Sequence, residues 1–113
     1  MITVYHNARC KKSREGLELV KTSGQEFQVR EYLKEPLSEA ELKEILSKLN
    51  YAPIQLIRTN EKLWKEEYKN KDLSDKELVN VMVKNPKLIE RPIVATNNTA
   101  VVGRPDSKIK DIL

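Results

Sequence analysis

The residues able to do chemistry crowd into one stretch, His6-Asn7-Ala8-Arg9-Cys10-Lys11-Lys12-Ser13-Arg14, which holds the only cysteine and the only histidine of the chain. Cys10 stands where a short apolar run has ended and an amphipathic run begins, with cations at Arg9, Lys11, Lys12 and Arg14. A helix N-terminus and nearby cations both favour a thiolate over a thiol, so this position suits a redox nucleophile. Free N–H groups at such a helix start also suit a bound oxyanion. His6 lies in the loop before the helix and either tunes the thiol or hydrogen-bonds the loop. A lone cysteine rules out an internal disulfide framework, and with no second pair of ligands His6 and Cys10 do not make a zinc site. Cys10-Lys11-Lys12-Ser13 has the layout of a Cys-x-x-Cys motif with serine in the second place. Any disulfide at Cys10 must therefore form with another molecule.

Three arginines form a second constellation. Arg91 sits in Glu90-Arg91-Pro92-Ile93-Val94, Arg104 in Gly103-Arg104-Pro105, and Arg58 at the end of a short apolar segment. Singly, each is a surface charge. Placed at element ends, the three can converge into an anion clamp, because guanidinium forks match tetrahedral oxyanions. Pro92 at the first residue of a strand is in a tolerated position, and a cis Arg91–Pro92 bond would make a fixed turn there. Other chemistries fail on particular residues. A Cys-x5-Arg phosphatase loop needs arginine where Gly16 stands, and three glycines cannot build a glycine-rich phosphate loop. The mixed-sign run from Lys62 to Lys71, with Trp64 and Tyr68, reads as a solvated helix face with a packed aromatic stripe.

The elements that must position these groups are those of one domain, residues 1–113. With 39% hydrophobic and 34% charged residues, the chain reads as soluble and globular rather than disordered. The net charge of +4 favours anionic substrates but is modest for a nucleic-acid binder. A lone thiol suits a reducing, cytoplasmic compartment. No run approaches a membrane span, and a strand pattern at residue 2 leaves no room for a signal peptide.

Ile2 to Tyr5 reads as a central strand buried on both faces. From Cys10, the positions Ser13, Gly16, Leu17, Val20 and Gly24 share one helical face, and Gly24 suits a left-handed C-cap. Phe27 to Tyr32, with Phe27 and Val29 alternating, reads as a second, parallel strand of a βαβ unit. A helical insertion over about 38–88 follows. Ser38-Glu41 and Ser74-Glu77 are capping boxes. Leu42, Ile45, Leu46 and Leu49 make one buried face, Leu78, Val81 and Met82 another. Asn50 is a stop, Pro53 starts a short helix reaching Arg58, Asn60 caps the next helix, and Pro86 ends the last. Ile93–Thr96 and Thr99–Val102 then form a hairpin, with Asn97-Asn98 adopting the positive φ of a type I′ turn. Pro105 falls in the first turn of a closing helix with Ile109, Ile112 and Leu113 inside. The order βαβ, helices, ββα predicts an α/β fold: a four-stranded mixed sheet flanked by helices.

Taken together, Tyr5-His6-Asn7, Cys10, Lys12-Ser13-Arg14, Leu56-Ile57-Arg58, Asn85 to Val94 and Val102-Gly103-Arg104-Pro105 resemble the arsenate reductase (ArsC) family that works with glutathione and glutaredoxin. The resemblance covers nearly the whole chain. It implies a thioredoxin-like fold, Cys10 as nucleophile, and Arg58, Arg91 and Arg104 as the groups binding the substrate oxyanion. It implies that His6, with Asn7, Ser13 and Arg14 around it, tunes the thiol and shapes its loop, and that Pro92 is the cis proline. Glutathione would be a co-substrate and glutaredoxin a partner, with no bound cofactor, no metal, no nucleic acid and no membrane. One departure is Ala8, where the family's loop commonly carries proline; the rigidity of the loop and the effect of Arg9 then become questions for the structure. Two other functions fit the same residues: a non-catalytic adaptor of the Spx type that binds RNA polymerase, and a general glutathione-linked thiol oxidoreductase. Spx-type regulators usually carry Cys-x-x-Cys, so Ser13 argues against that redox switch.

Overall fold

The computed structural model describes residues 1–113, which divide into two compact units, Met1–Pro36 with Arg91–Leu113, and Leu37–Glu90. The first unit holds β1 (Ile2–Tyr5), α1 (Lys11–Thr22), β2 (Phe27–Arg30), β3 (Ile93–Ala95), β4 (Ala100–Val102) and a short α6 (Ser107–Lys110). The second holds α2 (Glu39–Leu49), α3 (Pro53–Leu56), α4 (Lys62–Glu67), α5 (Asp75–Lys84) and a 3-10 turn, Pro86–Leu88. The predicted α/β architecture is the one formed.

The sheet runs β2-β1-β3-β4. β1 pairs parallel with β2, Val4 opposite Val29, and antiparallel with β3, Val4 opposite Val94. β1 is thus central as expected, but not buried alike on both faces: Ile2 and Val4 are buried while Thr3 and Tyr5 are only partly covered. Ile2, Val4 and Val94 pack with Val20 of α1 and Ile109 of α6. Each such side chain taken from water contributes roughly 1.5–3 kcal/mol, so these few fix α1 and α6 on one face of the sheet. β2 is shorter than predicted and lies at the sheet edge, where Val29 stays 42% exposed. Phe27 and Val29 alternate onto one face that is only partly covered, Phe27 half-buried and Val29 exposed. Tyr32 is buried outside the strand.

Helix α1 starts at Cys10 as its N-cap and ends in Gly24, whose φ of +77° is the left-handed cap expected of it; Gly24 itself is exposed rather than on the buried face. Gly16 serves a different need. A Cβ there would stand 2.8 Å from Pro92 Cγ and 3.0 Å from Ile109 Cδ1. Alanine would gain about 1 kcal/mol of helix propensity. Against that, a proline ring and the fully buried Ile109 cannot step aside cheaply, and overpacking costs about 1–3 kcal/mol. Gly16→Ala is therefore expected to lose about 1 kcal/mol net and to melt a few degrees lower. A thermal scan with an unchanged or higher midpoint would show that the ring has room.

The hairpin differs from its prediction. Neither asparagine has positive φ; among non-glycine residues only Asn50 does. The connection is closed by threonines instead: Thr96 N–H donates to Thr99 O at 2.8 Å, Thr99 N–H donates to Thr96 Oγ1 at 3.1 Å, and the two hydroxyls meet at 2.9 Å. Local side-chain bonds thus replace the positive-φ turn chemistry. Pro105 precedes α6 rather than opening it, and Arg104–Pro105 is cis, as is Arg91–Pro92.

In the second unit both capping boxes form, Ser38 with Glu41 and Ser74 with Glu77. Asn50 ends α2 in the left-handed conformation. α5 packs against α2, α3 and the 3-10 turn, burying Leu42, Ile45, Leu78, Val81 and Met82. Asn60 does not cap α4; Glu61 occupies that position without a side-chain bond. α3 ends at Leu56, so Arg58 lies beyond it, just past an isolated bridge between Ile57 and Ile89. Trp64 and Tyr68 stack at 5.8 Å, as the aromatic stripe suggested.

Candidate active site

The loop between β1 and α1 carries the site, and its shape comes from its own polar groups. Asn7 Oδ1 accepts from Arg9 N–H at 3.0 Å, and Asn7 O accepts from Cys10 N–H at 3.0 Å. Arg14, from the first turn of α1, reaches back to donate to Ala8 O at 2.9 Å. Ser13 is fully buried; its Oγ accepts from Asn7 N–H at 2.9 Å and lies 2.7 Å from His6 Nδ1. Rigidity that a proline at position 8 would supply is supplied by Asn7, Ser13 and Arg14.

These bonds place Cys10, half-buried and free, at the start of α1. Burial pushes its pKa up, but this is outweighed by the Ser13 N–H, the charge and hydrogen bond of Arg91, and the Lys12 N–H, so the thiol titrates below its ordinary value. Cys10 makes no side-chain cap bond to the helix; the N–H groups act on it through the favourable field of the helix start. The helix start favours the thiolate as expected. The charge acting on the sulfur, however, belongs to Arg91 and not to the cations beside Cys10 in sequence. Arg9 and Lys11 are exposed, and Arg14 is engaged by Ala8.

His6 is 7% exposed. Burial holds its pKa below the usual histidine value; Glu31 and Ser13 oppose the shift, while Arg14 and Lys21 add to it. It is not among the groups acting on Cys10. It meets Ser13, whose own N–H favours the thiolate. A neutral ring whose Nδ1 accepts from the Ser13 hydroxyl carries its proton on Nε2.

Arg104 Nη1 donates, at a long 3.5 Å, to Arg91 O. The first unit thus holds all three: Arg91 acts on the Cys10 sulfur, and Arg104 touches the backbone of Arg91. Arg58 belongs to the second unit, where it donates to Lys87 O at 3.1 Å and pairs with Glu61 at 3.1 Å and Glu90 at 4.0 Å. Glu61 stands at i,i+3 spacing readable in the sequence, whereas the Glu90 contact and the cis Arg104–Pro105 bond had no such signature. No cluster of three or more metal-ligating side chains exists, and no helix is long and apolar enough to cross a membrane. A thiolate beside a guanidinium can attack an electrophilic oxyanion centre while the cation offsets charge on its oxygens.

Residues 5–112 match the ArsC family. The chain is 42% identical to the uncharacterized protein YfgD of Escherichia coli (strain K12), over 99% of this chain and 96% of that one. It is 39% identical to an arsenate reductase of Neisseria meningitidis, over 99% of this chain and 97% of that one. Among solved structures, a putative arsenate reductase from Yersinia pestis superposes with a TM-score of 0.93 at 44% identity, covering 98% of this chain and 99% of that one.

Proposed function

The chain belongs to the ArsC family, and from that premise we propose that it is a cytoplasmic arsenate reductase working with glutathione and glutaredoxin. The observation that carries this reading is the pairing of Arg91 with a Cys10 held toward its thiolate. Such a pair joins a nucleophile to a cation able to polarise the group it attacks. The name of the Neisseria meningitidis relative supplies the oxyanion.

In this reading the Cys10 thiolate attacks arsenic, a Cys10 S–As bond forms, and one arsenate oxygen leaves as water after protonation. Arg91 and Arg104 offset charge on the remaining oxygens. Arg58 shares that role by family resemblance. A glutathione thiol then attacks the Cys10 sulfur, the S–As electron pair passes to arsenic, and arsenite leaves as a Cys10–glutathione disulfide forms. Glutaredoxin returns Cys10 to the thiol. Ser13 at the second place of the motif makes the outside thiol obligatory.

Arsenite formation from arsenate, with glutathione and glutaredoxin present, tests the proposal. Turnover well above that of Cys10→Ser is expected. Alkylation of Cys10 by iodoacetamide should be half-maximal at a pH below that of an ordinary thiol, about 8.5, and arsenate should slow it. A wild-type rate no higher than that of Cys10→Ser refutes the reductase reading.

A further inference from the structure

The backbone around Arg58 is tied down on both sides. Arg58 N–H donates to Leu88 O at 2.7 Å, and Glu90 N–H donates to Leu56 O at 2.9 Å. These two bonds flank the Ile57–Ile89 bridge and bring Glu90 beside Arg58. On the other side, Glu61 N–H donates to Arg58 O at 3.0 Å and closes a turn. All of these residues belong to the second unit. The guanidinium thus meets two carboxylates from a fixed main chain: Glu61 Oε1 lies 3.1 Å from Nη1, and Glu90 Oε1 lies 4.0 Å from Nε. Nη1 also donates to Lys87 O at 3.1 Å. The guanidinium and both carboxylates are partly covered from solvent.

This arrangement works against anion binding. A guanidinium grips an oxyanion best through two parallel N–H donors, Nη1 with Nη2 or Nε with Nη2. The first fork has Nη1 serving Glu61 and Lys87 O. The second faces the charge of Glu90, which repels an anion. At 4.0 Å, Glu90 orients the guanidinium without taking a donor; Glu61 is the carboxylate that takes one. The helix that follows gains no cap from it. Glu61 is the N-cap residue of α4 yet makes no side-chain cap bond, where a serine or aspartate would accept a helix N–H. A cap position held by a residue that does not cap points to a side chain used elsewhere.

We propose that Glu61 is a built-in competitor for the oxyanion: its carboxylate occupies Nη1 of Arg58 and must give way before the guanidinium can fork onto arsenate, so Glu61 sets the anion affinity of Arg58. The inference rests on the proposed reductase reading for the part Arg58 plays toward the oxyanion, and on the two ion pairs for what competes there. Lys87 O and Glu90 keep the guanidinium oriented when Glu61 yields.

Arsenate, or phosphate as an unreactive tetrahedral oxyanion, is titrated into the ¹⁵N-labelled protein without glutathione. The Arg58 side-chain Nε–H signal then reads binding alone. Glu61→Gln keeps an acceptor for Nη1 and removes the charge. It should lower the midpoint for both anions about five-fold, the size of one partly covered charge contact. The arsenate KM should fall by about as much while the glutathione KM does not move. A Glu61 that only held Arg58 in place would give the opposite, a looser guanidinium and a higher midpoint. In an Arg58→Ala background, Glu61→Gln should change the arsenate KM by less than about two-fold, because the effect runs through the guanidinium. Glu66→Gln removes the same charge from an exposed pair on α4 and should leave the midpoint in place. A midpoint unchanged or raised in Glu61→Gln, an Nε–H signal that neither anion moves, or an equal fall in Glu66→Gln overturns the proposal. If the midpoint falls as expected but no arsenite forms, the reductase reading fails and the competitor stands. If arsenite forms and the midpoint does not fall, the competitor fails and the reading stands.

Discussion

Replacing Arg91 with alanine is expected to lower arsenite formation about 10²–10³-fold, the usual loss for one positioned oxyanion donor. Two effects combine. The guanidinium is one of the groups holding the Cys10 pKa down, so its loss moves that pKa upward and lowers the thiolate fraction at neutral pH. The same cation would offset charge on the arsenate oxygens. The two separate by pH: raising the pH restores the thiolate but not the cation. Alkylation of Arg91→Ala should therefore approach the wild-type rate in alkaline solution, while turnover should not. Arg91→Lys keeps the charge without the fork and should recover more of the alkylation rate than of the turnover. Lys11→Ala, which removes an exposed neighbour of the thiol, should leave the alkylation profile in place. An Arg91→Ala profile identical to wild type would remove Arg91 from the account.

Ser13→Ala is expected to destabilise the protein by about 2–5 kcal/mol, because one fully buried hydroxyl serves two partners. Its removal leaves Asn7 N–H and His6 Nδ1 without it, and each unsatisfied buried group costs about 1–3 kcal/mol. Denaturant titration measures this as a lower midpoint with an unchanged slope. Ser13→Cys should lose a large part of the same stability, since a thiol is a weak donor and acceptor. A loss below about 0.5 kcal/mol in Ser13→Ala would mean that water or a shift of the loop replaces the hydroxyl.

How much could be read from the residues depended on how local the cause was. Both capping boxes were legible because serine and glutamate stand three residues apart and satisfy each other within one turn. Gly24 and Asn50 were legible as left-handed stops for the same local reason. The four strands followed from short apolar runs. What failed needed partners remote in sequence. β2 reads as a strand from the alternation of Phe27 and Val29, and only the strand order places it on an edge. Asn97 and Asn98 carry the composition of a positive-φ turn, but Thr96 and Thr99 close the hairpin by their own hydroxyls. At the candidate site the nucleophile and its helix start were plain. The cations beside Cys10 in sequence were given credit that belongs to Arg91. Proximity along a chain at a helix start says little about direction, because successive side chains fan around the axis. Arg58 illustrates both cases: Glu61 stands three residues away, within local reach, while Glu90 is remote and came only with the fold.

The dependence of Cys10 on Arg91 has a consequence for the protein as it is made. Cys10 precedes Arg91 in the chain, so the thiol is made before the guanidinium that acts on it. β1 likewise receives β3 only after the helices between them have been made. Until then the sulfur lacks the guanidinium, and before α1 forms it lacks the helix N–H groups too. A nascent chain therefore carries an ordinary, mostly protonated thiol. Its thiolate fraction, and with it its rate toward oxidants and electrophiles, rises as the helix start and Arg91 come into place.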